Sequence, residues 1–353
     1  MSAPLRFGLV GAGRIAGTYA QAFEGLEVAP FAPLATIAGV ADVDSKAARA
    51  LAGRLGCPAF ESHREMSIAC PLDAVIVCTP PVTHPDISLH FLRRRVHVLC
   101  EKPLSIDVRS ARLMAQGARR SGALLTMASK FRYAGDVVRA RRLAESGVIG
   151  EVLEVENSFT SRVSMAARWN SDPALSGGGV LIDNGTHSVD LMRFFLGPLV
   201  DVQVVEGARG QGLAVEEAVH LFVRNEGGAL GSIDLSWSVG KEAESYLTLH
   251  GTEGTLQVGW RESRYRRLAE GGWVVFGAGY DKVQAFQAQI GNFVRAIRGE
   301  EDLAITMEDA LASVEVVEAA YRALHGSRWT AVGAVSDRLR RPRRLALVAG
   351  EGA

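Results

Sequence analysis

Residues 5–17 are Leu-Arg-Phe-Gly-Leu-Val-Gly-Ala-Gly-Arg-Ile-Ala-Gly, and they indicate the fold of the first part of the chain. The short apolar run from Leu5 to Val10 predicts a buried strand, and the segment from Arg14 to Phe23 has the apolar spacing of a helix. The turn between them satisfies the pattern Gly-x-Gly-x-x-Ala from Gly11 to Ala16. A strand before this pattern and a helix after it form the context in which it binds the pyrophosphate of a dinucleotide.

Each small residue of this turn has a role in such binding. Gly11 permits the tight turn, Gly13 lets the backbone approach a pyrophosphate, and Ala16 allows the helix to pack closely. The first helical turn offers free N–H groups to anionic oxygens, so Arg14 and Ile15 join the two glycines as predicted cofactor contacts. The same pattern can also be a tight turn without a ligand, but its position between strand and helix favours binding.

Asp42 follows the second apolar run, from Leu34 to Ala41, and predicts which dinucleotide is bound. A carboxylate at this strand end accepts hydrogen bonds from the adenosine ribose hydroxyls and repels a 2′-phosphate. The sequence therefore predicts NAD in preference to NADP, although Lys46 nearby leaves NADP open. The separation from the glycines exceeds the usual ~20 residues. The segment from Gly25 to Pro33, which contains two prolines, accounts for the excess.

Apolar runs alternate with helical patterns through residues 1–130, which predicts βαβ units and a parallel sheet covered on both faces. Later strand-like runs are joined by short turns, which predicts a mostly antiparallel sheet. The expected fold is α/β plus α+β. An N-terminal Rossmann domain with a doubly wound parallel sheet covers residues 1–130, and a C-terminal α+β domain on a large, mostly antiparallel open β-sheet covers residues 131–330. Residues 331–353 form a basic tail.

The composition argues against several classes of protein. Lysine plus arginine and aspartate plus glutamate both number 39, so no net charge attracts the chain to nucleic acid or to a membrane surface. No apolar stretch approaches the ~20 residues of a membrane span. The four cysteines lack Cys-x-x-Cys spacing, which favours a reduced, cytoplasmic protein. The histidines lack the mutual spacing of a metal site, and we predict no metal.

Polar residues follow two further strands of the predicted parallel sheet. Thr79, Pro80 and His84 come after one apolar run, and Glu101 and Lys102 come after the next. Ligands of such sheets bind beyond the carboxyl ends of the strands, so both turns are expected to face the cofactor. A surface lysine is usually a solvated charge, but Lys102 lies at this edge and is a candidate catalytic residue.

A second group of chemically active residues opens a predicted helix from Leu181 to Leu196. Asp183 and His187 are four residues apart and share one helix face, which Asp190 continues. A carboxylate one turn from an imidazole can orient it and support its protonated form. The glycines at 177–179 indicate a backbone in close contact with the nicotinamide or the substrate. The alternative is an Asp–His surface pair near a helix start.

From about Leu5 to about Thr330, the chain resembles the glucose-fructose oxidoreductase, inositol dehydrogenase and rhizopine catabolism family, abbreviated Gfo/Idh/MocA. The resemblance is carried by these motifs: Gly11-x-Gly13, Glu101-Lys102-Pro103, Gly177-Gly-Gly-x-x-x-Asp183-x-Gly185-x-His187, Phe293-x-x-Ala-Ile-Arg-Gly and Met307-Glu-Asp-Ala. The family often has Thr-Pro-Asn where this chain has Thr79-Pro80-Pro81. The contacts to the nicotinamide ribose usually made by that asparagine are therefore not expected here.

The resemblance implies a role for each of four residues. Lys102 would hydrogen-bond the reacting hydroxyl, and His187 would be the general base in oxidation and the general acid in reduction. Asp183 would orient His187, and Glu101 would contact the nicotinamide ribose. The chemistry agrees, because a hydride leaves an alcohol carbon readily only as the hydroxyl proton departs, and imidazole has a pKa suited to that transfer.

The predicted substrate is a small polyhydroxylated molecule: a sugar, a cyclitol or a nucleotide sugar. The residues expected to contact it are Lys102, Arg132, Arg168, Trp169, Asp183 and His187. Arginines near the site can hold a carboxylate or a diphosphate, although surface arginines are common in this chain. The strand-rich second half favours a homodimer or homotetramer, as the resemblance also implies.

Two other functions remain open at this point. Some relatives are hydrolases that use bound NAD transiently to cleave glycosidic bonds, and net NADH production would separate these from dehydrogenases. A non-catalytic regulator that senses nicotinamide would more naturally have lost Lys102 or His187, and this chain retains both.

Overall fold

The computed structural model describes residues 3–26 and 34–326. Most of the segment predicted to lengthen the spacing before Asp42, and the basic tail at 331–353, lie outside the described residues. In the part that is described, no helix is long and apolar enough to cross a membrane. The same part holds no group of three or more histidine, cysteine, aspartate or glutamate residues arranged to bind a metal ion.

The first domain is a six-stranded parallel sheet in the order β3-β2-β1-β4-β5-β6. Its strands are β1 (Leu5–Val10), β2 (Ala35–Ala41), β3 (Ala59–Phe60), β4 (Ala74–Val77), β5 (His97–Glu101) and β6 (Leu125–Ala128). Its helices are α1 (Arg14–Leu26), α2 (Ser45–Leu55), α3 (His63–Ala69), α4 (His84–Leu92) and α5 (Val108–Ser121). The strand order reverses between β1 and β4, which creates the crevice where doubly wound sheets bind ligands. The predicted Rossmann fold is confirmed.

The second domain is an eight-stranded sheet in the order β14-β13-β12-β11-β7-β10-β9-β8. Its strands are β7 (Val152–Thr160), β8 (Leu199–Glu206), β9 (Ala218–Asn225), β10 (Leu230–Ser236), β11 (Ser245–Gly251), β12 (Gly254–Gly259), β13 (Ser263–Arg267) and β14 (Val274–Gly277). All neighbours pair antiparallel except β7 and β10. The remaining helices are α6 (Gly135–Glu145), α7 (Pro173–Ser176), α8 (Val180–Leu196), α9 (Lys282–Ile297) and α10 (Met307–Gly326). The predicted mostly antiparallel sheet is confirmed.

Four elements escaped sequence prediction because their patterns are weak. Strand β3 has only two residues, α3 has only seven and α7 has only four. Strand β13 is Ser-Arg-Tyr-Arg-Arg, whose arginines give it no apolar alternation.

The last two helices tie the domains together. Chain order placed α9 in the second domain, but its buried Phe286 and Phe293 pack in the first core with Phe7. The rings of Phe7 and Phe293 meet edge to face at 6.1 Å. Helix α10 contributes Val314 to a first-domain core and Ala320 to the second-domain core. The boundary between the hydrophobic cores therefore does not coincide with the sequence boundary near residue 130, because chain from the last two helices packs in the first-domain cores.

A buried ion pair holds the junction between the domains. Arg132, which follows β6, donates its Nε to Asp190 Oδ2 of α8 at 3.2 Å and also pairs with Asp190 Oδ1. Its Nη1 donates to the Ala304 carbonyl at 3.2 Å. The side chains of Arg132 and Asp190 are only 5% and 0% exposed. The guanidinium of Arg132 is thus occupied by a buried structural ion pair. Its predicted role in substrate binding is therefore wrong. Asp190 likewise faces Arg132 rather than extending the predicted catalytic face.

We expect the variant Arg132→Met to lose about 3–5 kcal/mol of unfolding free energy, because Asp190 would remain buried without a partner. The exposed pair of Arg224 with Asp201 supplies the control, since Arg224→Ala should cost at most about 1 kcal/mol. Urea unfolding followed by circular dichroism measures both. A loss of under about 1 kcal/mol for Arg132→Met would show that the buried pair is unimportant for stability.

Candidate active site at the edge of the first sheet

The glycine turn after β1 has the geometry of a phosphate-binding loop. Gly11 has a φ of +95°, and a Cβ there would lie 2.8 Å from the carbonyl of Cys78. A Cβ on Gly13 would meet no heavy atom of the described residues within 4 Å. Gly11 is therefore required by the close approach of β4, whereas the backbone at Gly13 borders open space at the start of α1.

The Asp42 carboxylate is fixed beside this turn. Its Oδ2 accepts a hydrogen bond from the Ala12 backbone N–H at 2.5 Å, and its Oδ1 accepts one from the Asp44 N–H at 2.8 Å. Asp44 itself caps α2 by accepting from the N–H groups of Lys46 and Ala47. The side chain of Asp42 thus lies at the carboxyl end of β2, next to the glycine turn, where an adenosine ribose would be bound.

His84 lies beneath the edge of the sheet rather than in the crevice. It is fully buried, with Nε2 at 2.8 Å from the Thr79 carbonyl and Nδ1 at 2.9 Å from the Pro103 carbonyl. Burial lowers the pKa of His84. The predicted contact of His84 with the cofactor is therefore wrong, because both of its ring nitrogens face backbone carbonyls in the interior. Instead it holds together the two turns that follow β4 and β5, including Thr79 and Pro80.

Glu101 is a buried carboxylate at the end of β5. Its Oε1 accepts from the Tyr19 hydroxyl at 2.8 Å, and its Oε2 accepts from the Lys102 N–H at 3.2 Å. Burial raises the pKa of Glu101, and the charge of Lys102 is the largest influence that opposes this rise. Tyr19 in turn accepts from Gln289 Nε2 at 3.0 Å. Sequence analysis missed Tyr19 because its partner is far along the chain. The ribose contact of Glu101 stays a prediction.

Lys102 and Asp183 form an ion pair across the domains. The Lys102 ammonium contacts Asp183 Oδ1 and donates to the Asp183 carbonyl at 3.1 Å. The two side chains are 16% and 22% exposed. Asp183 was expected to orient His187, one turn away on the same helix. The structure places its carboxylate on Lys102 instead, because the start of α8 lies against the turn after β5.

His187 is a buried imidazole close to this pair. Its Nδ1 lies 3.3 Å from the Ser129 hydroxyl, and its ring meets the Phe131 ring edge to face at 5.1 Å. Burial lowers the pKa of His187 well below its usual value, and the cations Lys102 and Lys130 lower it further. The imidazole is therefore neutral at neutral pH and can accept a proton. Sequence analysis missed Ser129, although it follows β6 at the same edge of the sheet.

Lys130 is a second ammonium group that sequence analysis did not assign to the site. Its Nζ lies 5.2 Å from the centre of the Phe131 ring and 6.0 Å from the centre of the Phe286 ring. Burial lowers its pKa to about 8, and the charge of Lys102 acts in the same direction. The signal that could have found Lys130 is its position just after a strand of the parallel sheet.

The glycines before α8 permit close packing of the backbone. A Cβ on Gly178 would collide with the Tyr321 hydroxyl, and one on Gly179 would collide with the Glu216 carbonyl. Glu216 Oε1 accepts from the N–H of Gly179 at 2.8 Å and from the N–H of Leu181 at 3.1 Å. These glycines therefore permit close packing on Tyr321 and Glu216, and their approach to the nicotinamide or the substrate stays a prediction.

Arg168 and Trp169 lie in an irregular segment before α7. Trp169 is 42% exposed and begins a short 3₁₀ turn that ends at Ser171. The Arg168 N–H donates to the Met165 carbonyl at 2.9 Å. The predicted contact of these two side chains with substrate stays a prediction.

The fold and this site define an NAD-binding oxidoreductase. Residues 5–129 match the model of an oxidoreductase family with an NAD-binding Rossmann fold, and residues 137–257 match the model of the GFO/IDH/MocA C-terminal domain. The chain therefore belongs to the Gfo/Idh/MocA family, and the family predicted from the sequence motifs is confirmed.

Named relatives cover nearly the whole chain. An inositol 2-dehydrogenase of Rhizobium meliloti (strain 1021) is 27% identical over 92% of this chain and 98% of its own length. The rhizopine catabolism protein MocA of Rhizobium meliloti is 28% identical over 89% of this chain and 93% of its own length. The crystal structure of GenD2 from gentamicin A biosynthesis, in complex with NAD, is 28% identical, covers 93% of this chain and 96% of its own, and has a TM-score of 0.80.

We expect Lys130→Met to raise the pKa of the His187 imidazole, because the variant removes a cation that opposes its protonation. Lys130 has a pKa of about 8, so it carries its charge throughout the acidic range in which His187 titrates. Lys130→Arg keeps the charge and is the matched control. An NMR titration of the histidine C–H signals, with His187→Gln for assignment, measures the shift. An unchanged His187 pKa in Lys130→Met would contradict the electrostatic role.

Proposed function

We propose that this protein transfers hydride between NAD and a secondary alcohol or ketone of a small polyhydroxylated substrate, such as a sugar, a cyclitol or a nucleotide sugar. The observation that carries the proposal is the convergence of Lys102 and His187 at the edge of the sheet that also holds the glycine turn. NADP is the second possible cofactor, and Asp42 disfavours it.

The residues of the first domain fit NAD. Gly13 leaves its backbone open to a pyrophosphate, the start of α1 offers N–H groups, and Asp42 is fixed where ribose hydroxyls would lie. When bound, the nicotinamide supplies the acceptor or donor of hydride. We propose that Arg14 and Ile15 contribute N–H groups and that Glu101 contacts the nicotinamide ribose.

His187 moves the proton in the proposed reaction. In alcohol oxidation its neutral imidazole takes the hydroxyl proton, and in ketone reduction it returns that proton. Lys102 donates a hydrogen bond to the reacting oxygen and stabilises its alkoxide character. Asp183 holds the Lys102 ammonium in place, so it is a positioning residue for Lys102.

Three relatives support a polyhydroxylated substrate by their names alone: an inositol 2-dehydrogenase, a D-glucoside 3-dehydrogenase and a 1,5-anhydro-D-fructose reductase. We further propose a homodimer or homotetramer that pairs through the outer face of the second sheet. Phe222 of β9 and Leu230 of β10 are 55% and 51% exposed on that sheet, and burying such side chains favours association. The cytoplasmic location stays a prediction.

The first test is an absorbance screen at 340 nm with NAD and NADP against inositols, aldoses, sugar acids, glycosides and nucleotide sugars. We expect net NADH formation with at least one class. Glycoside cleavage without net NADH would support the hydrolase alternative instead. No turnover with any class, in protein that binds NAD, would contradict the proposed dehydrogenase.

On the substrate found in this screen, we expect Lys102→Ala and His187→Ala each to lower kcat by about 10²–10⁴-fold, since proton-transfer groups and donors to a developing oxyanion contribute factors of this size. Circular dichroism and NAD binding by each variant serve as controls for folding. Turnover within about threefold of the unaltered protein for either variant would show that the assigned mechanism is wrong.

We expect Asp42→Ala to raise the Kd for NAD about tenfold or more, because hydrogen bonds from the ribose to a carboxylate would be lost. The Kd for NADP should rise less, or fall, since repulsion of the 2′-phosphate is also removed. Asp44→Ala, which removes a helix cap two residues away, is the matched control. Isothermal titration measures all three proteins. Equal changes for NAD and NADP would contradict the role given to Asp42.

A further inference from the structure

A continuous group of aromatic rings extends from the catalytic imidazole to the surface of the second domain. We call this group the aromatic wall, and its members are Phe131, Phe159, Tyr246, Trp260 and Tyr280. The Phe131 ring meets His187 at 5.1 Å and stacks with Tyr280 at 4.9 Å. The rings of Tyr246 and Trp260 are 4.6 Å apart, and Trp260 is 41% exposed. The wall thus begins at the site and ends in solvent.

The wall lies at the end of the second sheet that adjoins the catalytic helix. Phe159 is near the end of β7, Tyr246 is near the start of β11, and Trp260 follows β12. Antiparallel pairing of these strands brings the three positions to one end. Asn184, the residue after Asp183, donates its side-chain N–H to the Phe159 carbonyl at 3.4 Å. The rings therefore stand beside the start of α8.

A buried carboxylate fixes the outer part of the wall. Asp136 accepts hydrogen bonds from the Ser263 hydroxyl at 2.6 Å and from the Gly279 N–H at 2.8 Å. The Tyr280 N–H donates to the Trp260 carbonyl at 3.1 Å. Gly279 has a φ of +94°, and a Cβ there would lie 2.5 Å from the Trp260 carbonyl oxygen. The rings of Trp260 and Tyr280 are thus held before a ligand binds, which lowers the entropy cost of binding.

The wall also contains two buried hydroxyl groups without a hydrogen-bond partner among the described residues, those of Tyr246 and Tyr280. Leaving such groups unpaired costs free energy. Burial raises the pKa of Tyr280, and Asp281 and Glu101 raise it further. The effect of Glu101 on the pKa of Tyr280 is consistent with a position of this hydroxyl on the side of the wall that faces the end of β5.

We propose that the aromatic wall binds the second ring of a glycosidic substrate, and this proposal rests on the function proposed above. The reacting sugar lies at Lys102 and His187, and the adjoining sugar ring or aryl group stacks on Trp260 and Tyr280. Phe131 lies between His187 and Trp260. The exposed Trp260 ring is therefore separated from the reacting carbon by the additional width of the Phe131 ring. Sugar rings have apolar C–H faces, which flat aromatic side chains bury well.

The test compares methyl and phenyl β-D-glucosides and β-D-galactosides, which share a sugar and differ in the second group. We expect the unaltered protein to have a higher kcat/KM for the phenyl than for the methyl glycoside. Trp260→Ala should lower that ratio about tenfold, because ring burial on the wall is lost. Trp260→Phe should restore much of it. Trp273→Ala is the matched control, since Trp273 is an exposed ring that packs under Arg264 and Arg266 on the same sheet, and it should leave the ratio unchanged.

The outcomes separate this inference from the proposed function. Oxidation of inositols or free aldoses, but of none of these glycosides, would overturn the second-ring subsite and leave the dehydrogenase intact. An unchanged ratio in Trp260→Ala, or an equal loss in Trp273→Ala, would also overturn the subsite. Absence of turnover with every alcohol in the 340 nm screen would overturn the dehydrogenase itself, and the subsite with it.

Discussion

The ion pair between Lys102 and Asp183 joins the two domains at the place where the proposed chemistry occurs. Lys102 belongs to the turn after β5 of the parallel sheet, and Asp183 belongs to the first turn of α8. Each charge is mostly removed from water, so each depends on the other for compensation. Helix α8 therefore has a preferred position against the carboxyl edge of the first sheet, and the same contact positions His187, one turn further along.

The charges around His187 favour one of its two protonation states. Lys102 and Lys130 are both cations near the imidazole, and both oppose its protonation. The carboxylate that could have favoured an imidazolium, that of Asp183, is paired with Lys102 instead. A neutral imidazole is ready to accept a proton. For the proposed reaction, an imidazolium formed by taking the alcohol proton would lie beside two cations, which favours its return of the proton to a ketone oxygen or to solvent.

The sequence predicted those features that depend on local spacing. The glycine turn, Asp42 at the end of β2 and the alternation of strands and helices follow from short-range patterns, and the structure shows each of them. The partners of buried side chains depend on elements far apart in the chain. Arg132 meets Asp190 of another helix, so its sequence position near the site gave a wrong prediction. His84 similarly follows a strand at the cofactor edge, but the fold directs its ring beneath that edge.

The glycines before α8 have a packing role that does not depend on any ligand. Their missing side chains make room for Tyr321 and for the segment at Glu216. The Glu216 carboxylate accepts the first N–H groups of α8 and also the Tyr321 hydroxyl at 2.7 Å. A negative charge is favourable at a helix N-terminus, so Glu216 stabilises the helix start from the side of the second sheet. Tyr321 belongs to α10, which also packs on the first domain. Helix α10 therefore joins the two cores and also helps to position α8, which carries Asp183 and His187. The positions of Asp183 and His187 are thus set by contacts from both domains, and the chain after the last strand supports this candidate site.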